Sequence, residues 1–341
     1  MLPFKLVYSD GYYLPIGAHV FPATKYREIH ERLRKAQIAQ DGDFVIPEPC
    51  NDDDVRLVHT PEYVRKLRTG TLSEQEEAQL EVPYSEALVR AFWLAAGGSV
   101  MAARLALRDG IAINVGGGFH HAFPNHGEGF CMINDIAIAI RRLKHDRTIV
   151  RAMTVDCDVH QGNGTAAIFG FTQSDAEPLP NFSGGPMPRG ATPHMKMIPA
   201  EDFGEVFTIS LHQQSNYPLW KPPSSMDVNL PDGVGDEEYL DWLDNALTSA
   251  FGQFTPELIC YVAGADPYRH DQLGGLDLSI PGLKQRDELM FREARKRKIP
   301  VMVTFAGGYA ENVADTVTIH CNTVLAAAQV YAGQAASDAK R

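Results

Sequence analysis

The sequence predicts an α/β protein in which a mostly parallel, open β-sheet is covered by helices on both faces. Two observations support this fold class. Short apolar or β-branched runs alternate along the chain with longer amphipathic stretches, which is the pattern of a parallel sheet packed between helices. Clusters of unusual polar residues also begin where the apolar runs end, and ligands of open parallel sheets bind at the carboxyl ends of the strands.

The predicted elements follow one another without an internal repeat. The apolar runs that we assign as strands are residues 5–8, 111–115, 152–155, 206–211, 258–263 and 301–306. The stretches with helical periodicity are residues 24–40, 85–109, 134–145, 237–251, 283–298 and 313–331. Local signals predict two further helix starts, at Thr60 before Pro61 and at the capping box of Ser73 with Glu76.

One segment, residues 172–205, interrupts this alternation. It holds six prolines and four glycines and has no apolar periodicity, so we expect a long loop inserted in the fold. Such a loop either makes a surface excursion or shapes the mouth of an active site or a subunit contact. Because no linker is visible, we predict a single domain over residues 1–341 with the insertion at about 172–205.

The composition restricts the class of protein and of partner. The 341 residues carry 31 Lys and Arg against 43 Asp and Glu, a net charge of −12. This charge argues against nucleic acid as a partner and is compatible with cationic substrates. The five cysteines form no CxxC motif, which favours a reducing compartment. The N-terminal residues lack a signal-peptide pattern and no apolar run approaches a membrane span, so we expect a soluble, cytoplasmic protein.

Two polar clusters contain side chains that bind metal ions. Asp156, Asp158 and His160 alternate directly after the apolar run 152–155, so in an extended segment they point to the same side. Asp266 follows another apolar run and would complete a three-ligand set, the number that catalytic zinc sites typically use. The same donors would also accept Fe(II), Co(II) or Mn(II). The alternative is that these aspartates cap helices or turns.

A third and a fourth cluster contain groups that transfer protons or donate hydrogen bonds. The adjacent His120 and His121 follow three glycines at 116–118 and are predicted to form a proton-transfer pair. Tyr309 follows two glycines at 307–308. It is either a surface tyrosine after a strand or a donor to an oxyanion, and spacing alone leaves both alternatives open.

These clusters, in this order, resemble the histone deacetylase superfamily. The resemblance extends roughly from Val7 to the final helix and rests on the segments GGGFHHA, GEGFC, HQGNG and DQLGGLDLSIPGLKQRDELMFR. The segments are most similar to class IV deacetylases and to bacterial histone deacetylase-like amidohydrolases. The resemblance implies the arginase–deacetylase fold, a three-layer αβα arrangement around a mostly parallel open sheet of about eight strands.

The resemblance also implies a role for each matching position. The implied ligands of one Zn²⁺ per chain are Asp158, His160 and Asp266. His121 would be the general base and acid, His120 its electrostatic partner and Tyr309 the oxyanion donor. Asp156 would hold His120. Asn163 stands where some members have an aspartate that holds His121, and an amide supplies no negative charge, so a different division of labour between the histidines stays open.

Further positions are implied around the substrate. The acyl-lysine tunnel would be lined by Gly129 and Phe130, with Tyr217 opposite. A monovalent cation, usually potassium, is expected near Asp156, Asp158, His160, Ser210 and Leu211. Many members carry an aspartate at the tunnel rim that grips the substrate backbone. The comparable stretch here reads LEVPYS, in which Glu81 is the nearest acid, so the preference for a peptide backbone is open.

We therefore expect a zinc-dependent amidohydrolase that removes acetyl groups, and by the class IV resemblance longer fatty-acyl groups, from lysine side chains of proteins or peptides. One alternative is a deacetylase of acetylpolyamines or other small acylamines. A second is a binuclear manganese hydrolase of the arginase type, for which Asp271 is a nearby further acid. A third is a catalytically silent acyl-lysine-binding protein. The sequence leaves acyl length, physiological targets and oligomeric state open.

Overall fold

The computed structural model describes residues 1–173, 197–199 and 204–332. The strands are β1 (Lys5–Val7), β2 (Phe44–Val45), β3 (Ile111–Asn114), β4 (Ala152–Asp156), β5 (Phe171–Gln173), β6 (Met197–Pro199), β7 (Val206–Gln213), β8 (Met226–Leu230), β9 (Leu258–Val262) and β10 (Val301–Thr304). The α-helices are α1 (Lys25–Lys35), α2 (Asp52–Arg56), α3 (Pro61–Thr69), α4 (Glu74–Leu80), α5 (Glu86–Asp109), α6 (Asp135–His145), α7 (Asn163–Phe169), α8 (Asp236–Gln253), α9 (Ile280–Arg297) and α10 (Val313–Tyr331).

Eight of these strands form one parallel sheet in the order β2-β1-β3-β10-β9-β4-β7-β8. The three-layer αβα prediction with about eight strands is therefore confirmed. The central strands β3, β4, β9 and β10 are buried along their whole length, as expected for a parallel sheet covered on both faces.

Six of the eight strands correspond to the predicted apolar runs, whereas the two edge strands were not predicted. β2 has only two residues, and β8 is largely half-exposed, so neither carries a continuous apolar run. A separate antiparallel pair, β5 with β6, falls in the segment predicted as an insertion at 172–205. The rest of that insertion, apart from residues 204 and 205, lies outside the described residues.

The helices cover the sheet in connected layers. α5 packs against β3 and α6, while α9 packs against both α8 and α10, and α10 against α1. The predicted helix starts are confirmed: the Thr60 side chain accepts a hydrogen bond from the Tyr63 N–H, and Ser73 and Glu76 form a reciprocal capping box.

One sequence expectation about hydropathy is wrong. The helix α5, Glu86–Asp109, is long and apolar enough by length and composition to cross a membrane, although no such run was expected. About 67% of its most apolar window is buried inside the protein. Its apolar character therefore reflects its position as a core helix against β3 and α6. Its length and composition alone are weak evidence for a membrane span.

The sheet register brings four loops to one edge. Asn114 at the end of β3 pairs with Thr304 at the end of β10, Thr304 pairs with Val262 of β9, and Val262 pairs with Asp156 of β4. The four strands end at the same level, so the segments that follow them begin side by side. These are the segments that carry the polar clusters found in the sequence.

Candidate active site

Three buried side chains meet at this edge of the sheet. One ligand atom each of Asp158, His160 and Asp266 lies within 4.8 Å of the other two. The Nδ1 atom of His160 is 3.1 Å from Asp158 Oδ1 and 3.5 Å from Asp266 Oδ2. The structure therefore brings together the three residues that the sequence identified as metal ligands.

The surroundings of these groups fit a cation. Asp266 Oδ2 is buried and makes no hydrogen bond within the described part of the chain. Burial, together with the charge of Asp158, raises the pKa of Asp266 to about 7. Burial opposes protonation of His160, but the two carboxylates outweigh it and raise the pKa of His160 to about 10. Two carboxylates and an imidazole with surplus negative charge match the donor set of Zn²⁺ and of Fe(II), Mn(II) and Co(II).

Backbone N–H groups hold the two aspartates in place. Asp158 Oδ2 accepts a 2.8 Å hydrogen bond from the Gly307 N–H, and Asp266 Oδ1 accepts one of 2.9 Å from the Val159 N–H. A Cβ atom at Gly307 would lie 1.8 Å from Asp266 Oδ2 and 2.6 Å from Asp158 Oδ2. The loop after β10 approaches both carboxylates so closely that only glycine fits.

The two predicted proton-transfer histidines lie beside this group. Their ring centroids are 4.1 Å apart, and both side chains are buried. His120 Nδ1 is 2.7 Å from Asp156 Oδ2, which is the contact expected for Asp156. Burial opposes the charged form of His120, but Asp156 and Asp158 raise its pKa to about 9. Burial, His120 and His160 lower the pKa of His121, so the two imidazoles have opposite tendencies to hold a proton.

His121 contacts an amide that is itself held by a carboxylate. The His121 Nδ1 and Asn163 Oδ1 atoms are 2.7 Å apart, as expected from the sequence. The Asn163 amide N–H donates to Glu128 Oε1, and the Tyr217 hydroxyl donates to the same oxygen at 2.7 Å. Sequence reasoning did not identify Glu128. The available signal was an acid between two glycines in the segment GEGFC.

Tyr309 is only 7% exposed, which excludes the alternative of a surface tyrosine, while its role as an oxyanion donor stays a prediction. Its ring lies 6.4 Å from that of His160 and 6.0 Å from that of Phe130. Its backbone N–H donates to Asp271 Oδ2 at 2.6 Å. Asp271 thus binds backbone rather than joining the metal group, which removes the nearby acid considered for a binuclear centre.

Gly129, Phe130 and Tyr217 border the approach to His121. A Cβ atom at Gly129, where φ is +55°, would lie 2.7 Å from the His121 ring and 3.2 Å from the Tyr217 ring. The Tyr217 ring is 5.0 Å from the His121 ring. Glu81 is exposed and adjoins this rim, since the carbonyl of the preceding Leu80 accepts a hydrogen bond from the Phe130 N–H.

A narrow cavity of about 20 Å³ connects these residues. Its lining includes His120, His121, Asp158, Phe130 and Tyr309. This volume is enough for one water molecule.

A buried lysine near the cavity, Lys25, was also not predicted from the sequence. Lys25 Nζ donates a 2.5 Å hydrogen bond to the Ala306 carbonyl and lies 4.6 Å from the centre of the Phe21 ring. Burial lowers the pKa of Lys25 to about 8, against the opposing effect of Asp266 and Asp158. Lys25 looks like an ordinary first residue of an amphipathic helix, so the sequence carried no signal for it.

The residues expected around a monovalent cation adjoin one another on β4 and β7. Asp156 pairs in register with Ser210, and the next residue, Leu211, is buried. Asp158 and His160 follow on the loop after β4, where the Asp158 N–H donates to Asp156 Oδ1 at 3.1 Å. Potassium at this place stays a prediction.

An all-parallel sheet with buried carboxylate and imidazole groups at its carboxyl edge is the arrangement of an α/β protein whose site could hold a metal ion. Residues 19–325 match the model of the histone deacetylase domain. The chain therefore belongs to the histone deacetylase family, and it is a hydrolase of that superfamily, as the sequence predicted.

The chain is similar to individual relatives over most of its length. The chain is 35% identical over 329 residues to an uncharacterized protein of Picosynechococcus, covering 96% of this chain and 99% of the relative. It is 29% identical to histone deacetylase 2 of Arabidopsis thaliana, covering 92% and 76%. A crystal structure of a histone deacetylase homologue from Aquifex aeolicus has a TM-score of 0.72 at 22% identity, covering 96% and 84%, and shares the fold.

Proposed function

We propose that this protein is a zinc-dependent amidohydrolase that removes acetyl groups from the side-chain amine of lysine in proteins or peptides. One observation carries the proposal. Asp158 of the buried metal-binding group lines the same cavity as His121 and Tyr309, so a cation, a proton acceptor and a hydroxyl donor would face one reacting carbonyl. Metal-assisted amide hydrolysis needs these three functions together.

Asp158, His160 and Asp266 would hold the metal ion, which when bound polarises a carbonyl and makes water acidic. His121 accepts the proton of the attacking water and returns it to the leaving amine. Because burial and the neighbouring imidazoles lower its pKa, His121 starts in the unprotonated form that a proton acceptor needs. Tyr309 donates its hydroxyl hydrogen to the oxyanion, and His120, held by Asp156, contributes positive charge.

The dimensions of the site support small acyl groups. Gly129, Phe130 and Tyr217 border the approach that the aliphatic part of lysine would occupy. The inner cavity of about 20 Å³ accommodates a group of methyl size, and longer acyl chains would require the lining residues to move apart. The five cysteines are buried and unpaired, which supports a reducing, cytoplasmic location.

A second candidate function is deacetylation of small acylated amines such as acetylpolyamines. It is favoured by Glu81 at the rim, whose carboxyl pKa is raised by partial desolvation and by the negative charge of Glu128. Two neighbouring carboxylates would attract the second, cationic amine of such a substrate.

A substrate panel tests both functions. The zinc-loaded protein is assayed with lysine peptides carrying acetyl, butyryl, octanoyl or myristoyl groups, and with N-acetylputrescine, and metal-stripped protein is assayed in parallel. We expect acetyl-lysine peptide to be cleaved fastest and activity to disappear on chelation and return with Zn²⁺. Preference for N-acetylputrescine would favour the second function. Hydrolysis unaffected by complete metal removal would contradict both.

A further inference from the structure

Glu128 is the common acceptor of four side chains at the tunnel wall. Its Oε1 atom accepts from the Asn163 amide and from the Tyr217 hydroxyl. Its Oε2 atom lies 3.3 Å from Gln79 Nε2 and 3.4 Å from His126 Nε2. The side chain is only 15% exposed, and hydrogen bonds from these neighbours lower its pKa to about 2 against the effect of burial. Glu128 is therefore an ionised carboxylate outside the metal-binding group.

An ionised carboxylate only accepts hydrogen bonds, so it fixes the orientation of the amide beside it. The Asn163 NH₂ group must face Glu128, and the Asn163 carbonyl must then face His121. A carbonyl in turn only accepts, so His121 must carry its proton on Nδ1 and leave Nε2 free. Without Glu128, the amide could turn over and donate to Nδ1, which would place the proton on the wrong nitrogen for a general base.

The same oxygen also holds the opposite wall of the tunnel. Tyr217 stands edge-on to the His121 ring, with ring centroids 5.0 Å apart, and Gly129 leaves room between them. Charge-assisted hydrogen bonds are stronger than neutral ones, so Glu128 fastens both groups more firmly than a neutral acceptor would.

We propose that Glu128 is a positioning residue that sets the amide orientation of Asn163 and thereby the Nδ1–H tautomer of His121. The negative charge that the Asn163 amide lacks is supplied by Glu128 and acts on His121 through that amide. The tautomer part rests on the hydrogen bonds between Glu128, Asn163 and His121 together with the ionised state of Glu128. The kinetic consequence rests on the proposed function, because it assumes that His121 is the general base.

The tautomer is measured first, on the zinc-loaded full chain labelled with [¹⁵N]histidine. Long-range ¹H–¹⁵N spectra distinguish the two neutral tautomers, and the His121 signals are those lost in His121→Ala. We expect Nδ1–H in the wild type and in the control Gln79→Ala, which removes a partner of the other carboxylate oxygen. Glu128→Ala should show Nε2–H or a mixture, and Glu128→Gln, whose amide oxygen can still accept but whose NH₂ group can also face Asn163, should show a smaller loss of Nδ1–H. Retention of Nδ1–H in Glu128→Ala would overturn the proposal.

Turnover of acetyl-lysine peptide is measured next. We expect Glu128→Ala to lower kcat roughly 10- to 100-fold, the usual effect of losing a supporting hydrogen-bond partner, and to raise KM by a smaller factor because Tyr217 also loses its acceptor. Glu128→Gln, a neutral acceptor, should have a kcat between those of the wild type and Glu128→Ala. An inactive wild type would overturn the proposed function, while the tautomer measurement would still decide the role of Glu128.

Exchanging the acid and the amide between positions 128 and 163 tests the proposal if Glu128→Ala does not fold. Asn163→Asp alone places two carboxylates at hydrogen-bond distance, so we expect low turnover. Adding Glu128→Gln restores one acid and one amide in reversed order and should recover at least tenfold in kcat, because the carboxylate still accepts from His121 Nδ1. Equal activity of Asn163→Asp with and without Glu128→Gln would contradict the proposed coupling.

Discussion

The backbone N–H of Tyr309 donates a 2.6 Å hydrogen bond to the side chain of Asp271. The other oxygen of Asp271 accepts from the N–H groups of Leu273 and Gly274 at 2.9 and 3.0 Å. One carboxylate thus ties the loop that carries the hydroxyl donor to the loop after β9. This contact assigns Asp271 to holding the loop rather than to binding a second metal ion.

Asp271→Asn should separate these two roles. The amide NH₂ would face a backbone N–H that needs an acceptor, so the Tyr309 loop loses its anchor. We expect a tenfold or greater fall in kcat with an unchanged metal content of one ion per chain, measured by elemental analysis beside the assay. Wild-type metal content of two ions, falling to one in this variant, would instead favour a binuclear centre.

Gly307→Ala should impair metal binding without touching a ligand. The added Cβ atom would lie 1.8 Å from Asp266 Oδ2 and 2.6 Å from Asp158 Oδ2, so the carboxylates must shift. We expect at least a tenfold loss of Zn²⁺ affinity, measured by chelator competition. Gly252→Ala is the matched control, because a Cβ atom there meets nothing within 4 Å. Equal affinity of both variants would show that the close approach at Gly307 is not needed.

Tyr309→Phe removes one hydroxyl from the cavity and leaves the ring packing in place. Loss of an oxyanion donor typically costs about 10²- to 10³-fold in kcat, and we expect a fall of this size on acetyl-lysine peptide. The thermal midpoint should stay close to that of the wild type, since the hydroxyl faces the site. Tyr13→Phe, at an exposed position, serves as the control. A Tyr309→Phe enzyme with near-normal turnover would refute the role of this hydroxyl.

His59 should make the free energy of unfolding depend on pH in the acidic range. It is buried, its Nδ1 lies 2.9 Å from the Phe123 carbonyl, and its Nε2 accepts from the Asn134 N–H. Burial lowers its pKa to about 3, below the value of about 6.5 in an unfolded chain. The unfolded chain therefore binds the extra proton, so this contribution is complete above about pH 6.5 and is lost as the pH falls toward 3.

The measurement compares wild type with His59→Gln by urea unfolding at pH 7 and pH 5 in the presence of a chelator. The advantage of the wild type should shrink at pH 5 by up to about 1.4 kcal/mol for each pH unit below 6.5. His145→Gln, at an exposed histidine, is measured beside it as the control for replacing an imidazole by an amide. A constant difference between wild type and His59→Gln would mean that His59 does not take up a proton on unfolding in this range.

Strands and the side chains that alternate on one extended segment could be predicted from neighbouring residues. Side-chain contacts between residues far apart in the chain could not. The central strands were visible as continuous apolar runs, and Asp158 and His160 because they alternate on one extended segment. β8 was missed since its side chains are mostly half-exposed. The acceptor of Lys25 lies 281 residues away, and three partners of Glu128 lie 35, 49 and 89 residues away, so only the folded chain reveals these contacts. α5 was misjudged because a core helix that is mostly buried can be apolar enough to resemble one in lipid.

The hydrogen bond between Val159 and Asp266 joins segments 107 residues apart. A growing chain that ends before β9 holds Asp158 and His160 but lacks the third side chain. The Gly307 N–H that steadies Asp158 emerges from the ribosome later still. Capture of the proposed zinc ion would therefore be among the last events of maturation, and an incomplete chain in the cell would have no competent site with which to draw on the free zinc pool.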